Sequence, residues 1–375
     1  MSVPSAPPPS TGMTARRSAT LTVAAVLAVG LGLVMFLLPV PYVELQPGRT
    51  CNVLTTCPDD NGNPQPVLQI SHRTFPASGH LNLTTVSVSG GPGTRRLTLY
   101  DALRGWFSSS AAVIPKDFEF PPNQSGAEVD CRDTKDQESS QNNATTAALR
   151  SLGYRVPVTQ EVFITGFTST SPARAAGIGV CDDITAIDGK PVTSQEQLPQ
   201  LVRGHAPGTT ISVSYTPNGT TQHQTAQVKL VATPGKPGVG FMGVEPDEIE
   251  HSHPPFKVVI NVGPIGGPSA GLMYALGIYD KLTPGDLTGG VFVAGTGTIN
   301  DNGQVGPIGG IAQKMLGARQ QGASVFLVPK SNCSEAVGAK PKGLRLVSVA
   351  TLSEALSALT ALRNDAGGTI HDCTR

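Results

Sequence analysis

The chain has 375 residues, which is too long for one ordinary hydrophobic core and predicts two or three domains of about 100–200 residues each. It carries 27 basic and 27 acidic residues, and only 14% of its residues are charged. A neutral and weakly charged chain lacks the basic field that binding to a phosphate backbone requires. Nucleic acid is therefore not an expected partner.

A long apolar segment lies near the N-terminus. Residues 1–18 are rich in Pro, Ser and Thr and are predicted to form a disordered cytoplasmic tail. Residues 19–40 are almost wholly apolar, and as a helix they are long enough to cross a hydrocarbon core of ~30 Å. A cleaved signal peptide is the alternative, but its apolar region is shorter and ends in a small-x-small site. We therefore predict an uncleaved, single-pass anchor in the cell membrane. Arg16 and Arg17 keep the N-terminus cytoplasmic and place the rest of the chain outside.

The cysteines agree with an extracytoplasmic location. They are even in number, as expected where disulfides form: Cys51, Cys57, Cys131, Cys181, Cys333 and Cys373. Cys51 and Cys57 are the most plausible local pair, and the other pairings stay open. No C-x-x-C occurs, and His251 and His253 lack partners at ligand spacing, so neither a metal nor a cofactor is expected.

The region from residue 41 to residue 153 has a mixed pattern. Residues 80–90 are typical of a strand, whereas residues 94–107 fit either a strand or a helix. The polar stretch 121–154 begins as a loop or a linker, and its later half fits an amphipathic helix. The sequence leaves open whether residues 41–153 form a separate domain or complete the core of a later one.

Residues 154–233 alternate β-rich runs with two short helical segments and end in the Pro- and Gly-rich cluster TPGKPGVG, which predicts a small β-sandwich or barrel. The runs SPARAAGI, from Ser171, and DDITAIDGKPV, from Asp182, resemble the PDZ family. The resemblance implies capture of peptide C-termini, with a carboxylate-binding loop expected before Val162. Cys181 stands where the family usually has Gly. Simple packing against a neighbouring domain is the alternative role.

The stretch from Gly267 to Gly271 satisfies G-x-S-x-G, a pattern that presents a nucleophilic serine on a strand-to-helix turn. A β-rich run precedes it and helical spacing follows it, with Pro268 expected in the first helical turn. Ser269 is then expected at a helix N-terminus, among N–H groups suited to an oxyanion. An α/β-hydrolase also needs a later histidine, and only His371 follows, in a segment expected to fray. A glycine-rich helix start with a capping serine is the non-catalytic alternative.

Lys314 is the best candidate for the base. It shares the spacing of one helix face with Ile311, Met315 and Ala318, so it is predicted on an apolar stripe. Burial disfavours the ammonium form and lowers the pKa of a lysine, which lets the amine take a serine proton near neutral pH. A lysine that snorkels at the edge of the stripe is the alternative.

Three motifs in this order resemble the proteolytic domain of the Lon family. They are GPSAG at 267–271, TGTINDNGQV at 296–305, and GPIGGI at 306–311 followed by Lys314. The resemblance implies a Ser-Lys dyad of Ser269 and Lys314, with Thr296 hydrogen-bonded to the lysine. Backbone N–H groups of Gly267 and Ala270 are expected to hold the oxyanion. Lon-type domains commonly form rings, so a homo-hexamer is implied as well.

No ATPase phosphate loop, G-x-x-x-x-G-K-[ST], occurs in the chain. With the anchor and the PDZ-like unit, the chain therefore resembles the membrane-anchored, PDZ-containing Lon-like proteases of bacteria. This resemblance implies an α+β fold with a transmembrane helix, a PDZ-like domain at 154–233, a Lon-type proteolytic domain at 240–362 and a C-terminal tail at 363–375. The predicted activity is ATP-independent cleavage of unfolded or C-terminally tailed extracytoplasmic proteins. A catalytically silent, membrane-anchored PDZ scaffold is the alternative.

Overall fold

The computed structural model describes residues 11–59, 61–122, 124–263, 265–364 and 370–374. Its helices are α1 (Thr11–Leu37), α2 (Leu99–Trp106), α3 (Lys116–Glu119), α4 (Gly126–Ser151), α5 (Pro172–Ala175), α6 (Gln197–Arg203), α7 (Gly271–Leu282), α8 (Ile311–Gln320), α9 (Cys333–Gly338) and α10 (Leu352–Arg363). Its strands are β1 (Tyr42–Asn52), β2 (Thr56–Pro58), β3 (Pro64–Pro66), β4 (Leu68–Ile70), β5 (His80–Ser89), β6 (Ala112–Pro115), β7 (Val158–Phe167), β8 (Asp183–Ile187), β9 (Lys190–Pro191), β10 (Thr210–Thr216), β11 (Gln224–Lys229), β12 (Val231–Thr233), β13 (Lys236–Phe241), β14 (Val244–Ser252), β15 (Val258–Ile260), β16 (Phe292–Gly295), β17 (Thr298–Ile299), β18 (Val305–Gly306), β19 (Val325–Pro329) and β20 (Arg345–Val349).

The chain divides into two compact units, and the first combines the residues up to 45 with residues 88–121. Its helix α1 begins at Thr11, so the predicted disordered tail is wrong for residues 11–18, whereas residues 1–10 lie outside the described residues. The helix ends at Leu37 rather than at residue 40. Pro39 and Pro41 explain this end, because proline has no N–H to donate and its ring clashes with the preceding turn.

Helix α1 has the length and composition of a membrane span. The 21 residues Arg17–Leu37 have a mean hydropathy of 2.4, and no part of this segment is buried. Apolar side chains are exposed all around the helix, from Leu21 at 70% to Leu37 at 72%. In the part of the chain that the structure describes, this is the one helix long and apolar enough to cross a bilayer.

Three short elements, α2, β6 and α3, complete the first unit. Residues 99–106 form the helix α2 rather than a strand, because Thr98 and Asp101 make a capping box: each side chain accepts a hydrogen bond from the backbone N–H of the other. The first residues of β1, Tyr42–Leu45, pair antiparallel with β6.

The second unit, residues 46–87 with 122–375, contains a parallel sheet in the order β20-β19-β16-β5. The largest buried cluster combines residues from 51–83, from the last turns of α4, and from α7, β16 and α10. The segments on either side of 88–121 therefore complete the core of the C-terminal domain, which answers the question that the sequence left open.

Helix α4 replaces the predicted loop or linker at the start of 121–154. It begins at Gly126 because Ser125 and Glu128 form a second capping box. Although most of its side chains are polar, Ala144, Ala148 and Leu149 are fully buried. Tertiary packing thus stabilises a helix whose composition alone gives a weak signal.

The PDZ-like region folds around a sheet in the order β11-β10-β8-β7-β14. Strand β14 pairs antiparallel with β7 along its whole length. The sheet therefore extends to residue 252, beyond the predicted boundary at residue 233. The Pro- and Gly-rich cluster forms the β12–β13 hairpin instead of ending the domain.

Three disulfides link the cysteines: Cys51–Cys57, as predicted from their spacing, Cys131–Cys181 and Cys333–Cys373. Cys181 has a φ of +67°, a left-handed conformation that glycine adopts easily. This conformation is consistent with the Gly that the PDZ family usually has at this position. Cys373 and the ion pair between Arg345 and Asp372 at 2.8 Å hold residues 370–374 in place. The expectation of a frayed end is wrong for these residues, whereas residues 365–369 and 375 lie outside the described ones.

Candidate active site

Ser269 lies in a turn immediately before α7. The carbonyl of Ala270 accepts the first helical bonds, from Met273 at 2.9 Å and Tyr274 at 3.1 Å, and the helix begins at Gly271. Pro268 is therefore in the preceding turn and not in the first helical turn as predicted. The side chain of Ser269 is half-buried, which leaves it reachable from solvent while the helix behind it is buried.

Thr296 connects the predicted lysine to the serine turn. Lys314 Nζ donates a hydrogen bond to Thr296 Oγ1 at 3.3 Å. Thr296 Oγ1 in turn donates to the carbonyl oxygen of Ser269 at 2.9 Å, and the N–H of Gly297 donates to the same oxygen at 2.8 Å. The three residues that the motifs predicted are thus joined by a continuous hydrogen-bonded path, which reaches Ser269 at its main chain.

The stripe that carries Lys314 is buried as predicted. Ile311, Met315 and Ala318 are fully buried on α8, and Lys314 itself is only 4% exposed. Gly310 precedes the helix with a φ of +65°, and a Cβ there would lie 2.6 Å from Val86. A glycine is therefore needed both for the backbone conformation and for the close approach that brings α8 into position.

Helix α4 braces the serine turn from the other side, a role that the sequence did not reveal. Ser140, which is 2% exposed, donates from Oγ to the carbonyl oxygen of Pro268 at 3.0 Å. The N–H of Gly267 donates to the carbonyl oxygen of Asp133 at 3.0 Å. The N–H of Gly267 is thus engaged with α4 in this arrangement. The oxyanion donors at Gly267 and Ala270 stay predictions.

A cavity of about 490 Å³ opens between α4 and the residues that precede this turn. Asp130, Asp133 and Gln137 of α4 line one side, and Gly263, Ile265 and Gly266 line the other. Burial raises the pKa of Asp133. A neighbouring cavity of about 530 Å³ continues along the same helix towards Phe256. Both cavities lie along α4, the helix that contacts the serine turn through Asp133 and Ser140.

The PDZ-like sheet has its own, more apolar cavity of about 210 Å³. Leu198 and Val202 of α6 face the segment Gly240–Val244 and Pro246 across it. The segment that faces this helix follows the last predicted PDZ strand. The carboxylate-binding loop expected before Val162 stays a prediction. Strand β14, which begins at Val244, is an edge strand of the sheet.

A buried ion cluster ties α4 to the PDZ-like sheet. Lys135 Nζ lies 2.7 Å from Glu161 and 3.1 Å from Asp183. Glu161 also pairs with His251 at 2.7 Å, and this bond, followed by that of Lys135, lowers the pKa of Glu161 to about 2. Burial raises the pKa of Asp183 to about 6. The Cys131–Cys181 disulfide joins the same two elements, so α4 contacts both the serine turn and the PDZ-like sheet.

Comparison with known families identifies both the PDZ-like region and the region that contains the serine turn. Residues 241–361 match the Lon protease (S16) C-terminal proteolytic domain, and residues 136–230 match the PDZ domain. The chain contains a PDZ domain and a Lon-type proteolytic domain. The Lon-type domain contains Ser269, Thr296 and Lys314, and the PDZ match begins within α4.

Similarity to individual proteins is confined to part of their length. The chain is 36% identical over 118 residues to Lon protease 2 of Bacillus subtilis, a match that covers 31% of this chain and 20% of that protein. It is 35% identical over 94 residues to the Lon protease of Mycolicibacterium smegmatis, covering 24% and 11%. The crystal structure of the PDZ domain of the SdrC-like protein from Listeria monocytogenes is 24% identical, covers 22% of this chain and 83% of that one, and has a TM-score of 0.20. The chain thus spans about a fifth or less of the two Lon proteases that it matches.

Proposed function

We propose that this protein is a membrane-anchored serine endopeptidase that cleaves unfolded or C-terminally tailed extracytoplasmic proteins without ATP. The Lon-type domain beside a PDZ domain supports a protease. The hydrogen-bonded path from Lys314 through Thr296 to the main chain of Ser269 is the observation that carries the assignment of the dyad.

The chemistry is acyl transfer. Ser269 attacks the peptide carbonyl while the Lys314 amine takes its proton, and Lys314 later returns that proton to the leaving amine. Thr296 holds Lys314 in orientation, and the N–H of Ala270 donates to the developing oxyanion. The cavity beside α4 receives the substrate chain in an extended conformation.

Cleavage of casein by the full-length protein, without nucleotide, tests this function. Wild type is expected to cleave with a rate that rises between about pH 6 and about pH 10, since the lysine must be neutral to act as a base. Ser269→Ala is expected to be inactive. Equal activity of both proteins would refute the mechanism, and equal inactivity on casein and on short peptides would favour the silent scaffold.

The PDZ domain is the proposed receptor for substrate tails. A C-terminal peptide would lie between α6 and the Gly240–Val244 loop and add to the edge of β14. This pairing has to be short, because Pro246 has no N–H and its carbonyl oxygen already accepts Gln195 Nε2 at 2.7 Å.

Peptide anisotropy with the Ser269→Ala protein tests the tail receptor. A peptide with a free C-terminal carboxylate is expected to bind more tightly than its amide. Val202→Asp should abolish the difference, because Val202 lines the cavity, whereas Gln200→Asp on the exposed face of the same helix should not. Equal binding of both peptide forms would refute this assignment.

The proposed location rests on α1, which is long and apolar enough to cross a membrane. The proposed anchor leaves the N-terminus in the cytoplasm and both domains outside, where the three disulfides can form. A homo-oligomer, with a hexamer as the expected form, is part of the same proposal. Labelling of intact cells with a membrane-impermeant reagent should modify residues of the PDZ domain, and protection of that domain would reverse the orientation.

A further inference from the structure

Exposed aromatic side chains are concentrated in the first compact unit. Among the described residues outside α1, the exposed large hydrophobic side chains are Leu38, Tyr100, Trp106, Phe107, Phe118 and Val231. The four aromatic ones all lie in the segment 88–121, and Phe107 and Phe118 are 89% and 83% exposed. Burial of apolar surface contributes a free energy of roughly 25 cal/mol per Å², and rings exposed to water do not gain this stabilisation. We call these four residues the aromatic surface. A cluster of this kind marks an interaction site.

The aromatic surface is fixed at the C-terminal end of α1. The N–H of Leu99, the first residue of α2, donates to the carbonyl oxygen of Leu38 at 3.0 Å. The N–H of Lys116, the first residue of α3, donates to the carbonyl oxygen of Pro41 at 3.0 Å. Both aromatic-bearing helices are thus bound to the few residues that follow the apolar helix.

Ring contacts strengthen this connection. Phe36, in the last turn of α1, stacks on Tyr100 with ring centroids 4.5 Å apart. Tyr42 meets the edge of Trp106 at 5.4 Å. The surface is therefore continuous with the end of the helix.

The length of the helix sets the depth of this surface. At ~1.5 Å per residue, Arg17–Leu37 spans about 32 Å, close to the thickness of the hydrocarbon core. If the helix crosses the bilayer, the residues from Leu38 onward enter the lipid–water interface. Tryptophan and tyrosine are enriched at that level because their rings are apolar while their N–H and O–H groups stay hydrated.

The charges nearby do not form a basic patch. Arg95 pairs with Asp101 at 3.0 Å, and Arg104 lies 3.6 Å from Glu44. The segment 88–121 also carries Arg96, Lys116, Asp117 and Glu119, so with Glu44 its four basic side chains are balanced by four acidic ones. The chemistry of the surface therefore fits the acyl-chain boundary of a neutral lipid layer better than anionic headgroups.

From these observations we infer that the aromatic surface inserts into the outer lipid–water interface and forms a second membrane contact beside the span. This inference rests on the proposed anchoring of α1. Two contacts, a span and an interfacial surface, fix the orientation of the first unit to the bilayer, which a single helix alone would leave free to rotate.

The chain contains a single tryptophan, Trp106, so the native protein carries its own probe. Full-length protein is reconstituted in phosphatidylcholine vesicles, and its co-flotation with the vesicles reports whether α1 anchors it. Tryptophan emission is then measured with lipids brominated near the headgroup or near the bilayer centre, and with aqueous iodide. We expect an emission loss of about twofold with the shallow bromines, less with the deep ones, and protection from iodide.

A control places the tryptophan elsewhere, with Trp106→Phe combined with Lys340→Trp at an exposed position of the other unit. Its emission should respond to iodide and not to brominated lipids. High salt should leave the quenching of Trp106 unchanged, since the surface is not a basic patch. Failure to co-float would refute the anchoring itself. Co-flotation with a Trp106 that iodide reaches and bromines do not would overturn this inference alone.

Discussion

Lys314 Nζ lies 3.3 Å from Thr296 Oγ1, and both side chains are buried. Thr296 Oγ1 also donates a hydrogen bond to the carbonyl oxygen of Ser269. A single hydroxyl therefore orients the lysine and fixes the turn that carries the proposed nucleophile.

Replacing Thr296 by valine should impair catalysis without unfolding the domain. Valine fills the same space but removes both hydrogen bonds, so we expect kcat/KM to fall about 10- to 100-fold, the equivalent of roughly 1.5–3 kcal/mol. Thr296→Ser keeps the hydroxyl and should retain most of the activity. Peptidase assays with a matched thermal melt measure the effect, and equal loss in both variants would assign Thr296 a packing role only.

Ser140 should act as a positioning residue for the serine turn. Loss of its hydrogen bond to Pro268 in Ser140→Ala is expected to lower kcat about 3- to 10-fold with KM nearly unchanged, because the turn loosens while the substrate cavity remains. Ser139→Ala, on the neighbouring position of α4, should stay within about twofold of wild type. A change in KM alone, or an equal effect in both variants, would contradict this role.

The Cys131–Cys181 disulfide should stabilise the fold more than Cys51–Cys57 does. The Cys131–Cys181 bond closes a loop with a sequence separation of 50, whereas Cys51–Cys57 closes one of 6. Because a disulfide restricts the unfolded chain, the longer loop should stabilise the fold by about 4 kcal/mol and the shorter by about 2 kcal/mol. The variant Cys131→Ala/Cys181→Gly is the appropriate test, since glycine accepts the positive φ at residue 181. Urea unfolding of this variant and of Cys51→Ala/Cys57→Ala, without reductant, measures how much free energy of unfolding each loses relative to wild type. A smaller loss for the longer loop would contradict the prediction.

Asp280 should make stability depend on pH. Burial raises the pKa of its carboxyl from 3.8 to about 6, so between these values the folded state binds more protons than the unfolded state. The protonated carboxyl of Asp280 therefore favours the folded state at about pH 4, and this contribution to the free energy of unfolding is lost as the pH rises through 6. In Asp280→Asn, stability relative to wild type should increase from about pH 4 to about pH 7 by roughly 1–3 kcal/mol.

Asp286 provides a control of opposite sign. Hydrogen bonds from Ser78 and Thr288 outweigh burial and lower the pKa of its carboxyl. Asp286→Asn should therefore lose stability relative to wild type as the pH rises towards about 4, and the difference should change little from about pH 5 to about pH 7. Urea unfolding at several pH values measures both differences, and a flat difference for Asp280→Asn would contradict the assigned cause.

The parts that were predictable from sequence share a local signal. Lys314 could be placed on a buried face because the helix period repeats over Ile311, Met315 and Ala318, and the motif around Ser269 depends on adjacent residues. The start of α7 could be located only approximately. At its start, the N–H of Leu272 donates to the carbonyl oxygen of Gly297, a residue distant in sequence, so the local signal of Pro268 alone does not fix the first helical residue.

The parts that were missed depend on contacts between distant segments. Helix α4 is polar, and its burial against α7 and its bond to the serine turn arise only in the folded chain. Strand β14 is acidic and contains Pro246, so it gives a poor strand signal, yet it completes the PDZ sheet by pairing with β7. The C-terminal residues 370–374 look like a tail until Cys373 is paired with Cys333.

Peptidase kinetics of Ser269→Ala, Lys314→Met and the double variant test the central claim most directly. If the two residues form one dyad, each single substitution should lower kcat by at least about 10³-fold, and the double variant should be no slower than either, because both remove the same step. All three proteins should keep the wild-type melting temperature within a few degrees. Substantial activity in Lys314→Met, or losses that multiply in the double variant, would contradict a Ser269–Lys314 dyad.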